Sequence, residues 1–162
     1  PNPDWLGAFI NEFQIGGRLR LRVQLDGSFG NDVLNFTRRI LDRFGTGEEA
    51  ARELLPIPDP NRLPTGTMVA RFGIFEEYVE DGSYVKLREV SLTYRLADRL
   101  ARRFGANSAE VTLAGRNLRT WTDYTGYDPE MNLFGQRTVE RGNDFATYPI
   151  PRTWTLGVRV AY

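Results

Sequence analysis

Residues 18–25 read RLRLRVQL, an alternation without a break. Leu19, Leu21, Val23 and Leu25 fall on one face of an extended chain, and Arg18, Arg20, Arg22 and Gln24 on the other. The same period of two recurs four more times. Phe9, Asn11, Phe13 and Ile15 alternate with Ile10, Glu12 and Gln14 over residues 9–15, and Gly16-Gly17 offers a two-residue hairpin turn to the next strand, 18–25. A third strand is predicted over 84–94, with Val90, Leu92 and Tyr94 on one face. A fourth covers 109–118, with Val111 and Leu113 opposite Glu110, Thr112 and Arg116. The last, TWTLGVRVAY at 153–162, sets Trp154, Leu156, Val158, Val160 and Tyr162 against Thr153, Thr155, Gly157, Arg159 and Ala161.

Two long connections, 26–83 and 119–150, separate these strands. Within the first, Val33, Phe36 or Thr37, Ile40 and Phe44 recur at helical spacing, which predicts a helix capped by Asn31 or Asp32 and stopped by Gly45. Thr46 and Glu49 form a capping box ahead of EEAARELL. The prolines of LPIPDPNRLPTG then enforce a loop. Between the third and fourth strands, Leu96, Leu100 and Phe104 mark a short amphipathic helix ended by Gly105.

Alternation alone suits a soluble sandwich as well as a membrane barrel, since either buries one strand face. Three features favour the barrel. Both long connections fall on the same side of the sheet, as the external loops of outer-membrane barrels do. The final strand has about ten residues, enough to cross a bilayer at a tilt. It also ends on an aromatic, where barrel strands carry an interfacial girdle. Arg18, Arg20 and Arg22 are unfit for a dry core but suit a watery lumen. No run approaches the ~20 apolar residues of a membrane helix, a test that β-strands escape.

Composition narrows the chemistry. Twenty-one basic and 21 acidic residues give no net charge, so nothing points to nucleic acid. The absence of His and Cys removes imidazole bases, thiol nucleophiles and the commonest zinc ligands; no cofactor and no enzymatic activity are expected. All but one of the cations, Lys86, are Arg, which fits a coding bias better than a guanidinium-specific function. An opening of PNPDW without Met is expected of an internal piece of a longer protein.

Specific motifs carry the reading further. EDGSYVKLREVSLTYRL (80–96), AGRNLRTWTDYTGYDPE (114–130) and YPIPRTWTLGVRVAY (148–162) occur in this order, after NEFQIGGRLRLRVQLDGSFGNDVLN (11–35). Together they resemble the C-terminal end of the SusC/RagA family of TonB-dependent outer-membrane transporters, over essentially the whole chain. The resemblance implies an all-β fold of antiparallel, up-and-down strands, about five C-terminal strands of a barrel of about 22, with long external loops carrying short helices. It implies import of oligosaccharides or peptides across the bacterial outer membrane. Its partners would be outer-membrane lipid, a SusD-like lipoprotein lid, the TonB complex through an N-terminal part that this chain lacks, and the barrel assembly machinery. Five strands leave two open edges, so a segment alone is expected neither to transport nor to be stable. A soluble carbohydrate-binding β-domain is the alternative.

Candidate ligand residues lie in WTDYTGYDPE. Trp121, Tyr124 and Tyr127 would stack on a sugar ring or meet the lid protein, with Asp128 and Glu130 as hydrogen-bond acceptors; the structural alternative has Gly126 and Pro129 fixing a turn while the aromatics pack. As an acid pair for glycoside hydrolysis, Asp128 and Glu130 lack a partner that would raise a pKa. Arg18, Arg20 and Arg22 would bind an anionic substrate or form an interior ladder. Glu76, Glu77, Glu80 and Asp81 offer oxygen ligands for Ca²⁺, although a solvated loop explains them as well. Trp154, Leu156, Val158, Val160 and Tyr162 resemble an outer-membrane assembly signal, with the residues from Trp154 to Val160 facing lipid.

Overall fold

A computed structural model describes residues 1–133, 135 and 141–162. The chain forms two compact units, each assembled from separate stretches: a sheet unit of Trp5–Ser28, Tyr84–Trp121 and Ile150–Tyr162, and a loop unit of Pro1–Asp4, Phe29–Ser83 and Thr122–Pro149. The strands in chain order are β1 (Trp5–Ile15), β2 (Leu19–Phe29), β3 (Asp32–Asn35), β4 (Val79–Asp81), β5 (Tyr84–Arg95), β6 (Ser108–Thr122), β7 (Asn143–Asp144) and β8 (Thr153–Ala161). The helices are α1 (Phe36–Arg43), α2 (Glu48–Ala51), α3 (Thr67–Phe72) and α4 (Asp98–Arg103). The protein is thus mostly antiparallel β-sheet with a few short helices.

The sheet unit is five-stranded, in the order β1-β2-β5-β6-β8. Register follows from the period of two. Leu21 lies opposite Leu92 and Val23 opposite Val90, while Arg20 faces Thr93 and Arg22 faces Ser91. Between β6 and β8, Val111 meets Val158 and Leu113 meets Leu156, with Glu110 opposite Arg159. A slip of one residue would invert every one of these positions, so the patterning holds the register. Antiparallel pairing puts the end of β2, the start of β5, the end of β6 and the start of β8 at one end of the sheet. Both long connections begin and finish there. The Gly16-Gly17 turn and residues 96–107 lie at the other end, both glycines taking positive φ.

Strands run further than their alternation predicts. β1 begins at Trp5 rather than residue 9, because small Gly7 and Ala8 hide the pattern from a reading of hydrophobicity. The Trp5 ring covers Gly7, where a Cβ would collide with it. Trp154 likewise packs over its cross-strand partner Gly115. Both are glycines whose missing side chain is replaced by a neighbouring aromatic. β6 runs to Thr122 rather than 118 and includes Asn117 at φ +52°, a conformation Asn tolerates better than most residues. Tyr162 stands beyond the last ladder position, exposed.

Helix predictions need more correction. The start expected at Asn31 or Asp32 is a strand: β3 pairs antiparallel with β4 and parallel with β7 in a second, three-stranded sheet. Val33 is buried there as a strand residue. The actual N-cap is Asn35, whose Oδ1 accepts from the Arg38 N–H at 2.9 Å. Nor does α1 bury the predicted apolar stripe: Phe44 is exposed, and Arg39 and Asp42 are the buried residues. Arg39, 6% exposed, stacks its guanidinium over Phe72 at 3.9 Å and Phe75 at 3.7 Å, and Nε donates to the Phe72 carbonyl at 3.1 Å. Three surrounding rings, Phe36 the third at 5.1 Å, make this cation the centre of an apolar cluster.

The capping box does not form. Gly47 precedes α2 without a side-chain cap, the Thr46 hydroxyl donates to the Leu41 carbonyl at 3.3 Å, and Glu49 pairs with Arg71 at 2.8 Å. In α4 the buried positions are Ala101 and, just beyond, Ala106, while Leu100 and Phe104 stay exposed. Helix α3 and the 3₁₀ turns Arg52–Leu54 and Phe75–Tyr78 add structure to a stretch expected to be irregular. Glu53 anchors the first of these segments to α3 by accepting from the Gly66 and Met68 N–H groups at 2.8 and 2.6 Å.

Two outcomes test this account. Asn35→Ala removes the helix cap and the donor that Nδ2 gives Glu80 at 3.1 Å, and is expected to lower loop-unit stability by about 2 kcal/mol, read as faster amide exchange through α1. Arg39→Lys keeps the charge but not the planar stack; a loss of about 1–2 kcal/mol by the same measurement is expected.

Candidate functional site

The two groups of residues singled out from sequence belong to different units. In the sheet unit, the polar face carries ion pairs. Arg20 Nε lies 3.4 Å from Glu12, Arg22 Nε 3.8 Å from Glu89, and Arg116 Nε 2.9 Å from the same Glu89. Arg88 pairs with Asp26 at 2.5 Å, and the Thr93 and Thr112 hydroxyls meet at 2.9 Å. The Arg20 and Arg22 charges are therefore met by carboxylates of neighbouring strands. Arg18 is exposed beside the turn, its carbonyl taken by the Arg95 N–H at 2.8 Å. A shallow depression of about 370 Å³ lies on this face, lined by Arg20, Thr93, Glu110, Thr112 and Arg159 among others. Trp121 ends the sheet-unit stretch half-exposed, with the Arg119 guanidinium 5.3 Å from its ring centre.

The opposite face is apolar and uncovered. Trp154, Leu156, Val158 and Val160 are all exposed, Leu156 at 71%, and Phe9, Phe13, Leu92, Tyr94 and Leu113 join them. One sheet thus presents a charged surface on one side and an unburied apolar surface on the other.

The loop unit sorts the aromatics of WTDYTGYDPE. Tyr124 is 5% exposed and its hydroxyl donates to Asp144 Oδ2 at 2.7 Å. Burial pushes this phenol far above its usual range, the Asp144 hydrogen bond and charge adding to the effect. Asp128 is buried too, and its Oδ1 accepts from the Glu130 N–H at 3.0 Å in a local turn. Glu130 is exposed. Tyr127 is 80% exposed. Tyr124 and Asp128 accordingly organise the loop.

Sequence reasoning missed how this loop is held in place. Glu80 accepts from the Thr125 N–H at 2.9 Å and from Asn35, and pairs with Arg38 at 3.1 Å. Asp144 accepts from the Thr37 hydroxyl at 3.1 Å as well as from Tyr124. Asn35 directly before FTRRIL carried the signal of an N-cap; Asp144 carried none, standing in a two-residue strand. The acidic run is dispersed by these bonds. Glu77 pairs with Arg71 at 2.5 Å, Asp81 accepts from the Ser83 N–H at 2.8 Å, and no three acidic groups among the described residues converge on a metal position.

Between α1, the turn at Gly47–Glu49 and the Thr125–Tyr127 loop lies a cavity of about 530 Å³. Asp42 lines it at 4% exposure. Burial raises the Asp42 carboxyl above its ordinary value, with the neighbouring Tyr78 hydroxyl and Arg38 pulling the other way.

No family model matches the chain. Two curated relatives from Formosa agariphila do: TonB-dependent receptor P26, 32% identical over 172 aligned residues, and TonB-dependent receptor P3, 29% identical over 171. Each alignment covers the whole of this chain and 17% of the relative, so the chain spans about one sixth of their length. Among solved structures, the RagAB peptide importer in its open-open state matches with a TM-score of 0.72 at 22% identity, over 99% of this chain and 17% of that one. Its closed-closed state matches at 0.73 and 21%, over 98% and 17%. Over its whole length the chain is thus similar to a segment of TonB-dependent receptors, and its two-faced antiparallel sheet with long connections at one end shares the fold of part of the RagAB importer.

Proposed function

We propose that the sheet unit is wall in the barrel of an outer-membrane importer, its apolar face against lipid and its ion-paired face toward the lumen. The two-faced sheet carries this reading. Leu156 and its neighbours expose an apolar surface that water penalises and hydrocarbon does not, while the charges opposite need a wet interior. On this reading the protein imports oligosaccharides or peptides, powered by TonB through parts outside this chain and capped by a SusD-like lipoprotein. The peptide importers among the fold relatives support a peptide cargo, and the naming of RagAB as a pair supports the lipoprotein. The segment performs no catalysis. Its alternating Trp154, Leu156, Val158 and Val160, with Tyr162, serve the assembly machinery as a recognition strand.

The absence of Cys from the chain allows a direct test. In the intact protein, cleared of other cysteines and embedded in outer membrane, single cysteines are placed along 154–159. A charged, water-soluble thiol reagent is expected to label positions 155, 157 and 159 and to spare 154, 156 and 158. Equal labelling of both sets would mean that water reaches both faces, and the barrel reading would fail.

A further inference from the structure

The loop-unit cavity has a chemistry that transport by a barrel wall does not require. Four carboxylates line it, Asp42, Glu48, Glu49 and Asp144, against one cation, Arg38. Three of these five are already engaged. Glu49 is held by Arg71 at 2.8 Å, Asp144 accepts from Tyr124 and Thr37, and Arg38 is drawn to Glu80 at 3.1 Å. Glu48 is exposed at the start of α2. That leaves Asp42, nearly all buried, facing the cavity with no ion pair among the described residues. Its polar neighbour, the Tyr78 hydroxyl, is buried beside it and supplies no charge.

A carboxylate buried without an ion pair of its own is costly. The nearby guanidiniums of Arg38 and Arg71 draw on it without pairing to it, each being held by other acids. A metal ion does not fit, because no three acidic side chains among the described residues converge. The remaining wall includes Tyr127, whose exposed ring is the kind of surface on which ammonium and guanidinium groups rest. The volume, about 530 Å³, lies within the range of small-ligand sites and well above what one ion needs.

We propose that this cavity binds an organic cation, an ammonium or guanidinium group on a short aliphatic stem, paired to the Asp42 carboxylate with the Tyr127 ring as its aromatic wall. The site stands on the loop unit alone and does not depend on the transport reading: the cysteine pattern in the sheet reports on that reading and leaves this one untouched.

The test uses the intact protein in detergent, with N-acetyl-lysine N-methylamide as the probe and its uncharged norleucine counterpart as the control. Dissociation constants are taken from NMR titration. The lysine compound is expected to bind at least tenfold tighter than the norleucine one. Asp42→Asn, which keeps the side-chain shape, is expected to abolish that preference. Tyr127→Ala, at an exposed position with no part in folding the loop, is expected to weaken the lysine compound severalfold while Tyr127→Phe retains it. Equal affinity for the two compounds overturns the proposal, as does a lysine preference that survives Asp42→Asn, or a Tyr127→Ala variant that binds as the parent does.

Discussion

A β-strand sends successive side chains to opposite faces, and in this protein that constraint decides nearly everything else. In β2 the alternation divides Leu from Arg at every step, and β5 answers it position for position, Leu21 with Leu92 and Arg22 with Ser91. The sheet therefore cannot be half right: its two faces demand two different surroundings. A water-soluble sandwich satisfies that demand by covering the apolar face with a second sheet. Here the three-stranded sheet belongs to the loop unit, and Leu156, Val158 and Leu113 lie open. On the reading proposed above, the arrangement suits a wall between hydrocarbon and water.

The loop unit obeys a different logic. It has little continuous apolar core, its buried hydrophobic residues being few and scattered, such as Val33, Met68, Tyr78 and Tyr124. Shape comes instead from polar groups that each hold several segments. Asn35 caps a helix and donates to Glu80; Glu80 fastens Thr125 and Arg38; Asp144 takes Tyr124 and Thr37. Such networks are stable only when nearly every member is satisfied, which makes Asp42, with no ion pair among the described residues, conspicuous.

How much of this was legible in the sequence follows from where each signal resides. A strand's period is written in consecutive residues, so the sheet could be read almost whole; Gly7, the register shift after Gln24 in β2 and Asn117 each shortened an expected strand. The loop unit was hardly legible. Its sheet joins β3, β4 and β7, two to four residues each, across more than a hundred positions, too short for any period to register. Helix α1 misled because its buried positions are Arg39 and Asp42, residue types that a hydrophobicity pattern assigns to solvent. The aromatic loop was read as either a ligand surface or a structural turn, and which of its rings is buried depends on Asp144, distant in sequence.

The setting of Arg39 has an implication for the medium. Ion pairs on half-exposed surfaces, such as those of Arg71 with Glu49 and Glu77, weaken as dissolved salt shortens the reach of charge. A guanidinium enclosed by Phe36, Phe72 and Phe75 is shielded from mobile ions by the rings themselves. The loop unit thus has one fastening that brine can loosen and another that it cannot, and a change of salinity would relax its rim while its centre held.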